Sequence, residues 1–302
     1  MLINQKLTIF GDSMKYFKVW MFLFYTLVFS VTCQAHTGVK QIEKKYGVKI
    51  GVYAIDTNNN NVFNYRQNER FPFQSTVKII VSAAALKNID AEEKIKISSD
   101  DIVFWSPIIR LNLNRGYMTV GELSEASTSY SDNAANNILI RRLGGIKSIH
   151  EFATKSLNMT SFNLDNFEPK LNSDSDNIQD TSTPKDMAQS IQKILLENSV
   201  LSIGQQQKLK DWMSNNTTGY TKIRSGLPVG WHAAEKTGGG SNIANDIGII
   251  WSPSCKPIVL AIYTISNKKN NQKQDESIKL TTKLILNEFS KNNTCFAAMD
   301  LK

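Results

Sequence analysis

Strand-like alternation occurs at the two ends of this chain and almost nowhere between them. Over 48–56 the apolar Val48, Ile50, Val52 and Ala54 alternate with other residues, the two-residue period of a half-buried strand. The run from Asn58 to Asn61 then reads as a turn into a second strand at 62–65. Three further strand-like runs come only after residue 220, at 231–236, 246–252 and 257–265, followed by an amphipathic helix at 274–290. The long middle carries helical patterns at 75–87, 120–129, 133–143, 147–157, 184–196 and 203–214, several opened by Ser, Thr or Pro. The simplest assembly is an α+β fold. Two early and three late strands form a five-stranded antiparallel sheet flanked by helices, with an all-α domain inserted between them. This reading assigns 36–66 plus 220–302 to the sheet domain, 67–219 to the all-α domain, and the active site to the cleft between them. With 41% apolar residues over 302 positions, the chain is long enough to bury a sizeable core.

The first 35 residues stand outside that fold. Lys15 and Lys18 precede an apolar stretch from Val19 to Phe29, interrupted by Thr26, and the small Ala35 follows, the pattern of a cleaved secretory signal. Residues before Met14 add nothing to this signal, so Met14 serves equally well as a start. The stretch is shorter than the roughly 20 residues of a spanning helix, and no later segment approaches that length. The expectation is a monomer exported across the inner membrane to the periplasm or the exterior, with no membrane span after processing. An oxidising destination allows Cys255 and Cys295 to pair.

Charge and composition exclude several functions. Lys plus Arg number 35 against 27 Asp plus Glu, but the basic residues are scattered and form no aromatic-interleaved stripe, so no nucleic-acid partner is expected. The three histidines and three cysteines show neither HxxEH nor CxxC spacing, so no metal is expected.

The chemistry lies in three short motifs. Ser75-Thr76-Val77-Lys78 follows an extended segment containing Pro72 and opens a helical run, so one turn places the Ser75 hydroxyl and the Lys78 amine on one face. That pairing makes a nucleophile with an adjacent base, near the positive end of a helix. Alone it decides nothing, because SxxK arises by chance roughly once in a chain of this size. Ser131-Asp132-Asn133, between two helical patterns, and Lys236-Thr237-Gly238, at the end of the strand beginning near Trp231, are each much rarer. Asp132 also reads as a turn or cap residue, and His150 and His232 as structural. Trp105 is either a cleft wall or a surface aromatic.

The order SxxK, SDN, KTG resembles the penicillin-recognising serine enzymes, that is, serine β-lactamases and penicillin-binding proteins. Phe167-Glu168-Pro169-Lys170-Leu171-Asn172 resembles the Ω-loop of class A β-lactamases. Trp105-Ser106-Pro107, the stretch from Ile223 to Pro228, and Ala244-Asn245-Asp246 match the same class. The resemblance implies hydrolysis of the β-lactam ring through an acyl-Ser75 intermediate, deacylated by a water that Glu168 activates and Asn172 helps to hold. It implies an oxyanion hole from the backbone of Ser75 and Gly239. Ser131 would pass a proton to the lactam nitrogen with help from Lys236. Trp105, Lys236, Thr237, Gly238 and Gly239 would line the substrate site, with Asn133 toward the acyl side chain. No cofactor is implied, since nucleophile, bases and oxyanion donors all come from the chain.

Departures from the class pattern raise further expectations. Many members complete the carboxylate pocket with an arginine, but the position on the strand after KTG is Ala244, which leaves Lys222 or Arg224 to supply the charge. The arginine that commonly pairs with the Ω-loop aspartate is replaced by Asn166, so Asp180 is expected to lack that partner. Gln74 and Gly240 stand where some carbapenem-hydrolysing members carry a cysteine pair, so broad carbapenem hydrolysis is not expected. A peptidoglycan DD-peptidase and an acylated but silent β-lactam sensor share the three motifs; neither calls for the Glu168–Asn172 spacing.

Overall fold

The structure, a computed structural model, describes residues 36–171, 178–267, 271–291 and 293. The expected signal segment, Asn172 and Cys295 lie outside the described residues. The chain divides into two units, 1–41 and 42–302, with the division falling inside helix α1 (36–46).

In the larger unit, β1 (Val48–Asp56) and β2 (Asn61–Tyr65) form the expected hairpin. A short strand β3 (Phe71–Pro72) leads through a 3₁₀ turn at Gln74–Val77 into α2 (Lys78–Asn88). Next come β4 (Lys94–Lys96), α3 (Pro107–Asn112), β5 (Tyr117–Thr119), α4 (Val120–Ser129), α5 (Asn133–Arg142) and α6 (Ile146–Glu151). After them lie β6 (Thr181–Ser182), α7 (Pro184–Leu196) and α8 (Ile203–Ser214). The chain then returns to the sheet as β7 (His232–Gly239), β8 (Ile243–Trp251) and β9 (Ile258–Ser266), and α9 (Asn271–Ser290) follows.

The five long strands form one antiparallel sheet in the order β2-β1-β9-β8-β7, as the terminal runs predict. The expectation of half-buried strands needs correction: β1 is exposed only at Lys49. The reason is that helices cover both faces. Tyr53, Ile55, Val259, Ala261 and Tyr263 join the large apolar cluster shared with α2, α4 and α7. Their alternating neighbours, such as Val52, Ala54, Leu260 and Ile262, point to the other face, where α9 packs on β1, β8 and β9. Strands β7 and β8 also run further than predicted, through Gly239 and from Ile243, because glycine and asparagine carry no apolar periodicity. The helix reading at 147–157 splits into α6 and a π-helical turn at Phe152–Ser156. Helix α9 begins at Asn271, ahead of the start at 274 that the amphipathic pattern gives.

Helix α2, whose sequence KIIVSAAALKN is apolar on nearly every side, is buried from Lys78 through Leu86 and is packed by α4, α5, α6 and α8. Its neighbours start at side-chain caps. Thr119 and Glu122 form a reciprocal capping box at α4, and Thr183 accepts from Asp186 N before Pro184 at α7. Asp132 caps α5 by accepting from Ala135 N at 2.9 Å. Its other carboxylate oxygen accepts from Ile108 N and Ile109 N at 2.8 and 3.0 Å, which agrees with the reading of Asp132 as a cap. His150 Nε2 lies against the Leu164 backbone, and His232 stacks on Trp251, both structural positions.

Candidate active site

The 3₁₀ turn carrying Ser75 runs directly into α2, so Ser75 and Lys78 sit one turn apart, and Lys78 Nζ lies 2.9 Å from Ser75 Oγ. The loop before α5 delivers Ser131 in a left-handed conformation, φ 57°, uncommon for a residue with a Cβ. Its carbonyl and hydroxyl both reach Lys78 Nζ, at 2.9 and 3.3 Å, and Asn133 Oδ1 accepts from the same amine at 2.5 Å. Ser131 Oγ also lies 3.1 Å from Lys236 Nζ, so one hydroxyl sits between two ammonium groups. Glu168 Oε1 is 3.6 Å from Lys78 Nζ.

Lys78 and Lys236 are fully buried behind a cleft of about 390 Å³. Ser75, Ser131, Asn133 and Glu168 line that cleft, together with Thr237, Gly238 and Gly239 from edge strand β7. Trp105 lines it too, half exposed, with its indole N–H donating to Tyr130 O at 3.0 Å, so it is a cleft wall. Lys222 reaches the cleft but is paired with Asp275, 3.2 Å away. Arg224, the other candidate for the carboxylate pocket, is not among the lining residues. Its guanidinium is held 3.3 Å from the buried Glu235 and donates to Ser214 O at 3.1 Å.

Burial dominates the electrostatics of the ionisable groups around the cleft. It pushes the Lys78 ammonium down to about 8, against the pull of the Glu168 and Asp132 carboxylates. It pushes Glu168 up, restrained by the charge of Lys78. Lys236 falls well below the ordinary lysine range, first by burial and then by repulsion from Lys78. The cleft therefore holds a hydroxyl within hydrogen-bond reach of an amine poised near neutrality, with a carboxylate behind it. This is the equipment of acyl transfer followed by hydrolysis.

A family model described as "Beta-lactamase enzyme family" matches residues 34–289. The chain belongs to the class A β-lactamases. It is 39% identical over 258 residues to "Beta-lactamase 3" of Bacillus cereus, covering 84% of this chain and 81% of that one. It is 40% identical over 262 residues to a β-lactamase of Bacillus subtilis, covering 85% of each. The solved class A β-lactamase of Clostridium kluyveri superposes with a TM-score of 0.81 at 35% identity, covering 85% of this chain and 99% of that one.

Several residues lining this β-lactamase's cleft or holding its walls escaped the sequence reading. Asn137 clamps the backbone of Glu168 from both sides: its Oδ1 accepts from Glu168 N at 3.0 Å and its Nδ2 donates to Glu168 O at 2.9 Å. The available signal was its position four residues after Asn133, on the same face of α5. Thr218 lines the cleft beside Thr237, and their hydroxyls are hydrogen-bonded. Phe104 stands exposed at the rim next to Trp105, its carbonyl accepting from Asn133 Nδ2 at 2.8 Å. No sequence motif marks either of the last two.

In the loop that carries Glu168, Asp180 lacks the arginine, as Asn166 implies, and finds other donors. Asn166 Nδ2 donates to it at 2.9 Å, and the backbone N–H groups of Asp165 and Asn166 add bonds of 2.8 and 3.0 Å. A neutral amide and two backbone donors take the place of an arginine. Beside Ser75, the amide of Gln74 lies against Gly240, 3.1 Å from where a Cβ would stand. Cys255 is disulfide-bonded.

Proposed function

We propose that this β-lactamase opens the lactam ring with Ser75 and clears the resulting ester with a water activated by Glu168. The observation that carries this reading is the placement of Lys78 Nζ, 2.9 Å from Ser75 Oγ and 3.6 Å from Glu168. Ser75 Oγ attacks the lactam carbonyl carbon while its proton passes to Lys78 or Glu168, a choice long disputed for this class. The N–H groups of Ser75 and Gly239 receive the oxyanion. As the C–N bond breaks, Ser131 donates its proton to the lactam nitrogen and is resupplied from the lysines on either side of it. Glu168 then takes a proton from water, the resulting hydroxide attacks the acyl carbon, and Ser75 leaves with its proton restored. Asn172 completes the water site in this reading.

The substrate carboxylate docks against Lys222, Lys236, Thr237 and Thr218, and the acyl side chain lies toward Asn133 and Trp105. The sheet layer, 36–66 plus 220–302, and the helical layer, 67–219, form the two walls of the cleft. No helix among the described residues is long and apolar enough to cross a membrane. We place the mature enzyme outside the inner membrane as a monomer, with the first 35 residues removed.

The test is benzylpenicillin turnover by the 36–302 protein beside its Glu168→Ala variant, following product and intact mass together. Fast wild-type turnover with a stalled acyl adduct in the variant supports the assignment. A wild-type protein that itself stalls refutes it.

A further inference from the structure

One row of residues crosses four strands of the sheet: Gly51 pairs with Tyr263, Tyr263 with Asn245, and Asn245 with Gly238. Each member of the row touches the segment that leads into Ser75. A Cβ on Gly51 would stand 2.4 Å from the Phe71 ring, and one on Gly238 would stand 2.7 Å from Phe73 O, so both ends must be glycine for the segment to lie this close. Between them, Asn245 Nδ2 donates to Pro72 O at 2.8 Å and to Phe73 O at 3.3 Å. Tyr263 packs on Phe71 with ring centroids 5.9 Å apart, and its hydroxyl lies 3.0 Å from Thr76 Oγ1.

The direction of that last bond follows from proton counting. Thr76 Oγ1 donates its single proton to Phe73 O at 2.7 Å, so it can only accept from Tyr263. Burial holds the Tyr263 hydroxyl protonated far above neutral pH, so the donor persists across the working range of the enzyme. The relay runs Tyr263 to Thr76 to Phe73, entirely within the buried interior, where chained hydrogen bonds polarise one another. It closes around Gln74, which is held left-handed at φ 49° immediately before Ser75. A side-chain-bearing residue keeps such a conformation only where its surroundings over-determine it.

We propose that Tyr263 and Thr76 are positioning residues for the nucleophile, fixing the turn from which Ser75 attacks. The proposal rests on Ser75 being that nucleophile. Tyr263→Phe removes one hydroxyl and keeps the ring on Phe71. Thr76→Val breaks the relay without touching the ring, and Thr76→Ser preserves it. Acylation by a chromogenic cephalosporin is followed in single turnover, deacylation by decay of the acyl mass, and folding by thermal melting.

Tyr263→Phe and Thr76→Val should each slow acylation about tenfold, the factor carried by about 1.4 kcal/mol in the barrier. The double variant should fall no further than the worse single, Thr76→Ser should stay within about twofold of wild type, and deacylation should hold in all. Acylation at the wild-type rate in folded Tyr263→Phe overturns the proposal, as does equal slowing of acylation and deacylation, which marks general loosening. Should Tyr263→Phe not fold, Thr76→Val decides by the same criteria. Adduct formation by Ser75→Ala would instead defeat the nucleophile assignment itself.

Discussion

Replacing Asn137 with leucine separates the holding of Glu168 from everything else in the cleft. The change is nearly isosteric, and it deletes the two bonds, 2.9 and 3.0 Å, by which the Asn137 amide grips the Glu168 backbone. Each such bond contributes about 0.5–1.5 kcal/mol net, so the loop loses about 1–3 kcal/mol of restraint. Expressed in the step that needs Glu168 in register, this is a slowing of about 5- to 150-fold. Lys78, Ser75 and Ser131 are bonded to one another without Asn137, so acylation should change little. The loop can open locally instead of unfolding the domain, and Tm should fall by less than about 5 °C. The assay is an intact-mass time course with benzylpenicillin, in which the acyl adduct should build up during turnover while kcat falls. Lowered kcat without adduct would show that the clamp serves acylation, and unchanged kcat would show that Glu168 is held by other contacts. Either result refutes the reasoning.

Lys222→Ala should raise the KM for benzylpenicillin about tenfold or more with kcat within about threefold, since it removes a charge at the cleft; an unchanged KM removes Lys222 from the carboxylate pocket. In the Glu168→Ala background, acylation followed against pH should rise with a midpoint below about 8, because Lys78 becomes the remaining base and loses the carboxylate that raises it; a flat profile from pH 6 to 9 denies Lys78 that role. Burial pushes Asp246 up to about 6 from the ordinary 3.8, so the native state holds this proton more tightly than the unfolded chain, and stability is lost as pH rises from about 4 to about 6. Asp246→Asn keeps an acceptor for Ile223 N and removes the charge, so thermal melts should show it more stable than wild type at pH 7 and equal to it below pH 4. A less stable variant at pH 7 would mean that attraction to Lys222 and Lys236 outweighs the burial cost.

The pattern of residues alone determined the sheet of two early and three late strands, the helical middle, and the three motifs that meet in the cleft. Those features are local: apolar period, capping residues and a hydroxyl one helical turn from an amine are written in contiguous sequence. Sequence could not show that β1 is buried on both faces, because burial depends on α7 and α9 arriving from far along the chain. Nor could it choose between Lys222 and Arg224, which lie two residues apart. Tertiary packing separates the two: Arg224 meets the buried Glu235, whereas Lys222 reaches the cleft. The partnering of Asp180 by Asn166, the Asn137 clamp and the Tyr263 relay likewise join residues 14, 31 and 187 positions apart. Hydrogen bonds of this kind leave no periodic trace, since each needs only one donor and one acceptor brought within about 3 Å by the fold.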